Sequence, residues 1–293
     1  MIGKIKRLIN LFSIPALVFC ASSSAFVLPV SAQQSQQPQE QKLPYAVDRA
    51  NVADALAKVE SGQFSAVHVD LITRARCEEA TPILKEQFAQ IQDPMLKDKV
   101  AAALVRLGSR DDIYWDYLLN QAKVALDSDA PPFLSYDSTG KSTNGPSPEF
   151  EAWRMGRSSP QDTETAGADS MYIFPGRITT LAWSEDPRAI PYLRQGLSSP
   201  NPMIQTAAAY GLAELGDEAS IPLIIAACEK APKEVSSLMA ESLIYFDNNT
   251  AQKAADKFVA PGTAQAIREQ KASGQRQKPL TVPLYDSTTG EHP

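Results

Sequence analysis

The chain predicts an all-α fold, a solenoid of about five antiparallel helix pairs with a long loop insertion in its middle, on three observations. First, the stretch from Leu181 to Leu193 is answered 31 residues later by Leu212 to Ile224, and a further step of 31 lands on Leu243 and Asn248. Such a fixed period marks stacked units, none of which can bury its apolar face alone. Second, the segments opening each unit carry apolar residues at i, i+3 and i+4, as in Ala101, Leu104, Val105 and in Ala208, Leu212, Leu215. This is the spacing of one helix face. Third, the units are punctuated alike: Gly108 and Gly216 follow Leu107 and Leu215, where a left-handed residue closes a helix, and Pro191 and Pro222 fall near the start of the next.

Taken in order, residues 1–32 read as a signal peptide. The basic start Lys4, Lys6, Arg7 precedes an apolar run from Leu8 to Val30 that ends in Val30-Ser31-Ala32, with cleavage expected after Ala32. Pro15, Ser22-Ser23-Ser24 and Pro29 interrupt that run and make it a poor membrane-spanning helix. Cys20 sits in a lipobox-like context, but Phe19 stands where a small residue is needed. The expected location is therefore exported, periplasmic or extracellular, without membrane insertion after cleavage. Removal of Lys4, Lys6 and Arg7 takes the formal charge from −6 to about −9, which disfavours nucleic acid as a partner.

Residues 33–47 are Gln-rich and polar and read as a disordered linker. Residues 48–126 hold a capping helix and two helix pairs, and 169–260 hold three more pairs. Between them, 127–168 lose the periodicity and become rich in Pro, Gly, Ser and Thr, an irregular insertion with a short helix at Pro148 to Met155. Residues 261–293 are expected to form a C-terminal helix and a mobile tail. After cleavage only Cys77 and Cys228 remain; they fall in units too far apart for a disulfide and read as small buried hydrophobes.

The most tempting chemical signal is the recurrence of adjacent acids at Glu78-Glu79, Asp111-Asp112, Glu185-Asp186 and Asp217-Glu218. Paired carboxylates suit general acid/base work or a hard cation. Their register argues for capping instead, because Asp186, Asp217 and Asn248 each precede a helix by one position. Gly140-Lys141-Ser142 does not read as a phosphate loop: position 135 is Ser where the motif needs Gly, and no strand is expected before it. With only His68 and His292, no Ser-His-Asp, Cys-His or zinc constellation can be assembled.

A first helix ending Ala-x-x-Leu-x-x-Leu-Gly-Asp (Ala209 to Asp217), followed by Ala-x-Ile-Pro (Ala219 to Pro222), resembles the HEAT repeat, in the short form also found in phycobilisome lyases. The resemblance is close over 201–230, good over 170–198, recognisable over 95–119 and weaker over 66–91 and 232–259. It implies an exported bacterial member of that class, a right-handed superhelix and a role in holding other molecules. It does not imply lyase activity. The expected function is a non-catalytic scaffold for a protein or peptide, monomeric and without cofactor or metal. Its candidate contacts are the aromatics of the insertion and its exit: Tyr136, Phe150, Trp153, Tyr172 and Phe174. Two alternatives are distinguishable in the structure. The aromatics could instead fold back to cover their own solenoid, and a cell-envelope hydrolase or accessory subunit of one, using carboxylates lining the solenoid groove, would require two of them converging within roughly 10 Å.

Overall fold

In the computed structural model, the residues described are 46–47, 49–128, 130–156, 169–281 and 285–286. The signal segment and most of the Gln-rich linker lie outside them. The helices run α1 (Arg49–Glu60), α2 (Ala66–Arg74), α3 (Ala80–Phe88), α4 (Pro94–Arg106), α5 (Asp112–Leu126), α6 (Pro148–Met155), α7 (Phe174–Trp183), α8 (Ile190–Gly196), α9 (Pro202–Glu214), α10 (Ile221–Lys230), α11 (Lys233–Glu241), α12 (Asn249–Phe258) and α13 (Pro261–Ala272). The repeat pairs are α2/α3, α4/α5, α7/α8, α9/α10 and α11/α12. Their first helices pack in succession, α2 on α4, α4 on α7, α7 on α9 and α9 on α11, which makes the molecule an α-solenoid.

The 31-residue register is a register of burial. Leu181, Leu212 and Leu243 are all fully buried, as are Ile178, Leu193, Ile224 and Met239 between them. At its centre α9 is covered on nearly every side, so small residues set how closely its neighbours approach. A Cβ added at Gly211 would stand 2.8 Å from Ala182 Cβ and 3.0 Å from Leu193 Cδ2, and one at Gly196 would stand 2.9 Å from Ala208 Cβ. Those distances are below normal van der Waals contact, so glycine is required for helix approach there.

Helix starts follow one recipe, a short acceptor followed by proline. Asp93 accepts from Met95 N at 3.0 Å, Asp186 from Arg188 N at 2.9 Å and Asn201 from Met203 N at 2.9 Å, each with Pro at the next position. Asn248 accepts from Thr250 N at 2.9 Å without a proline. The capping expectation holds for Asp186 and Asn248 and fails for Asp217, whose carboxylate makes no cap bond. It takes the Arg194 guanidinium at 2.8 Å and the Ser220 hydroxyl, because a long cation from the preceding unit outcompetes a neutral backbone N–H for an anion. Asp111 likewise leaves its helix end uncapped and pairs with Lys85 at 2.7 Å.

The insertion is more regular than its composition suggests. β2 (Leu134–Tyr136) and β3 (Ser142–Pro146) form an antiparallel hairpin, and α6 follows at the expected residues. Asp137 builds the turn: its Oδ1 accepts from Thr139 N at 2.8 Å and Lys141 N at 3.1 Å. A second short pairing joins β1 (Ala46–Val47) in parallel to β4 (Tyr285–Asp286), bringing the far end of the chain back beside α1.

Candidate interaction face

The insertion packs on its own solenoid. The hairpin turn sits on the start of α11, where Glu234 N donates to Gly140 O at 3.0 Å and Ser142 N donates to Glu234 Oε2 at 2.6 Å. Gly140 has φ +78, and a Cβ there would lie 2.5 Å from Lys233 N, so backbone meets backbone at that point. Phe150 is only 2% exposed, and its ring meets Phe133 edge-on at 5.0 Å and Trp153 at 5.6 Å. Ser147 pins this small core by accepting from Phe150 N at 3.0 Å while donating to Pro132 O at 2.7 Å.

The five aromatics expected at a recognition surface therefore separate. Phe150 is interior, packed by Phe133 and Trp153 into the insertion's own small core, since three rings in one loop bury one another when they can. Tyr136 and Phe174 are half-buried against the main core, Trp153 is half-buried beside Phe150, and Tyr172 alone is exposed, at 57%.

A different set of residues converges on one line. The last residue of each first helix, Arg74, Arg106, Trp183 and Glu214, continues in register to Tyr245, giving one side chain per unit. Arg106 is the hub, its side chain 6% exposed: Nη1 donates to Trp183 O at 3.2 Å and to Thr281 Oγ1 at 3.3 Å, and Nη2 to Glu185 Oε1 at 3.2 Å. Its guanidinium lies 4.9 Å from the centroid of the Trp183 ring, and Lys99 Nζ lies 3.5 Å from the same centroid.

Two residues after each of the first four helix ends the backbone turns left-handed, at Arg76 (φ 51), Gly108 (φ 84), Glu185 (φ 56) and Gly216 (φ 66). Glycine adopts this conformation without strain and glutamate does not. Glu185 is held there by three cations, Arg106, Lys278 at 2.9 Å and Arg76 at 3.5 Å. Burial pushes its carboxyl upward, but the Lys278 hydrogen bond and the charges of Arg106, Lys278 and Arg76 outweigh it and hold the carboxyl below the usual carboxylate range.

The segment after α13 lies across this line. Arg276 reaches to 6.0 Å from the Tyr245 ring centroid, and Lys278 reaches Glu185. Leu280 N donates to Glu214 Oε2 at 2.7 Å, while the Thr281 hydroxyl donates to Glu214 Oε1. Over Arg276–Thr281 the expectation of a mobile tail is thus corrected. Glu214 is 1% exposed, and a buried carboxylate needs such donors to offset its lost hydration. Neither the tail nor Glu214 was singled out from the sequence, although an acid in register with Trp183 inside an apolar helix was a readable signal.

Glu185 and Glu214 thus approach a common Arg106–Thr281 pair. Acid/base hydrolysis by two carboxylates requires one to keep its proton near neutral pH. Glu185 is shifted the opposite way. Among the described residues no cluster of three or more His, Cys, Asp or Glu side chains is placed to hold a metal ion, and no helix is long and apolar enough to cross a membrane.

Comparison with protein families matches residues 178–244 to HEAT repeats. This stretch is a HEAT-like repeat region within a helical solenoid. It runs from within α7 past the end of α11 and contains Trp183, Glu185 and Glu214, while Arg74, Arg106 and Tyr245 lie outside it. No curated protein and no solved structure matches the chain. The pairs α2/α3 and α4/α5 stack in the same manner outside the matched residues.

Proposed function

We propose that the protein is an exported interaction scaffold of the HEAT class, and that it holds a protein or peptide along the line Arg106, Trp183, Glu214 and Tyr245. The observation carrying this reading is that Arg106, Glu185, Glu214 and Tyr245, from four successive units, all meet a single non-helical segment, which is how a repeat surface engages a linear partner. Export rests on the sequence of residues 1–32 and the cleavage pattern ending at Ala32. The kinship with the short repeats of phycobilisome lyases is part of the same reading and brings no activity with it.

Two experiments test the proposal. N-terminal sequencing of the protein recovered from the cell envelope or medium is expected to begin at Gln33; an unprocessed Met1 start in the cytoplasm would refute export. Photo-cross-linking residues placed at Tyr245 and at Tyr172 are expected to give adducts from Tyr245. Adducts from Tyr172 alone would return the binding role to the insertion.

A further inference from the structure

Resting on the scaffold reading, we propose that the segment Lys278-Pro279-Leu280-Thr281 is a resident stand-in for the partner. The partner class is then an extended peptide with a cationic side chain two residues before a free backbone N–H and a hydroxyl in the next residue.

The chemistry of the face states what it accepts. Glu185 takes an ammonium, that of Lys278. Glu214 takes one backbone N–H and one hydroxyl, and Arg106 donates to that same hydroxyl oxygen. Pro279 is buried between these contacts and presents no N–H of its own. All four contacts are made by Lys278, Leu280 and Thr281, within four consecutive residues. The receiving groups lie 66 or more residues earlier in the chain, in the repeats.

Glu214 explains why the face is not left bare. It is buried within the stack, and the hydrogen bonds it accepts come from the tail. An occupant is therefore needed, but that occupant need not be covalently attached. Any segment supplying the same donors satisfies the same carboxylates. The tail is tethered at α13 and again by β4 on β1, so it competes as an intramolecular ligand at an effective concentration of about millimolar. A partner of the stated chemistry exchanges with it, and the tail both protects the face and sets a threshold for binding.

The probe is a fluorescently labelled synthetic peptide of residues Gly274 to Thr281, read by anisotropy against the full exported chain. A chain carrying Leu280→Pro and Thr281→Ala lacks the N–H and hydroxyl that hold the tail. It is expected to bind the probe at least about tenfold more tightly than wild type, because the cis competitor is weakened. Adding Glu214→Ala to it is expected to abolish the gain, and a probe with Leu280→Pro is expected not to bind. Equal binding to the wild-type and loosened chains would overturn the proposal. If the loosened chain loses its helical circular dichroism, the wild-type chain decides: roughly millimolar unlabelled peptide should accelerate amide exchange at Leu280, and unchanged exchange overturns the proposal. A wild-type dimer that dissociates on Leu280→Pro would make the occupant a second copy, overturning it as well. Cross-linking of a partner from Tyr245 with both peptide readouts negative would leave the scaffold standing and remove only the exchange.

Discussion

Glu185→Gly sets a local backbone preference against a buried ion network, and the structure says which wins. Glycine is the residue the repeat uses at this left-handed position in Gly108 and Gly216. Relief of the strained backbone is worth about 1–2 kcal/mol, reduced to about 0.5–1 by the added freedom of glycine in the unfolded chain. Against this, Arg106 is left with a 6% exposed side chain and without its carboxylate. Removing one partner of a fully buried pair costs about 3–5 kcal/mol, and the remaining bonds to Trp183 O and Thr281 Oγ1 lower that to about 2–3. The more exposed Lys278 and Arg76 add less than about 1.

The variant is therefore expected to be about 1–3 kcal/mol less stable near neutral pH. Because the Glu185 carboxyl sits below its ordinary range when folded, its contribution is complete above the unfolded value of about 4.3 and is lost as pH falls through the folded value. As pH falls through the folded value the ionic loss fades while the backbone gain persists, so the difference should shrink and then reverse in acid. Urea unfolding followed by circular dichroism at neutral pH and down an acid series measures it. A variant more stable than wild type at neutral pH, or a difference independent of pH, would refute the reasoning.

Three further outcomes are expected. Gly211→Ala should destabilise by about 1–3 kcal/mol in urea, since its Cβ meets Ala182 and Leu193 inside a packed stack; a neutral result would mean α7 and α9 can separate freely. Gly140→Ala should undock the hairpin from α11, giving faster proteolysis within 130–156 while the helical melt stays nearly unchanged, because a left-handed φ and a backbone clash coincide there. Glu241→Gln should stabilise the fold at neutral pH, since burial, opposed by the Tyr210 hydroxyl and the Arg276 charge, raises the Glu241 carboxyl. That penalty on the ionised form is full above the folded value and disappears below the unfolded one, so the gain should shrink to nothing in acid.

The solenoid was legible because burial in a stacked repeat recurs at a fixed interval, and leucines at 181, 212 and 243 report it without reference to any distant contact. Caps were legible for the same reason, being local bonds between a side chain and an N–H two residues on. Asp217 shows where that logic stops. Its position predicts a cap, but Arg194 from the preceding unit takes the carboxylate, and nothing within the repeat announces that competition. The insertion was misjudged similarly: its composition signals loop, while the Asp137 turn and the contact of Gly140 with α11 give it a hairpin.

The candidate site was barely legible, and the reason lies in how it is built. Its parts are a helix-end acid at Glu214, a non-glycine at a left-handed position at Glu185, and a polar tail, each unremarkable within its own window. Aligning the units exposes the first two as departures, since glutamate replaces glycine in one column and an acid stands beside Trp183 in another. Departures of this kind cost stability locally and are retained only where something outside the repeat compensates. Here that compensation comes from the tail, through Lys278 on Glu185 and through Leu280 and Thr281 on Glu214. Glu185 and Glu214 are thus the acids at the helix ends that the tail engages, and the proposed partner face follows that line of helix ends rather than the insertion.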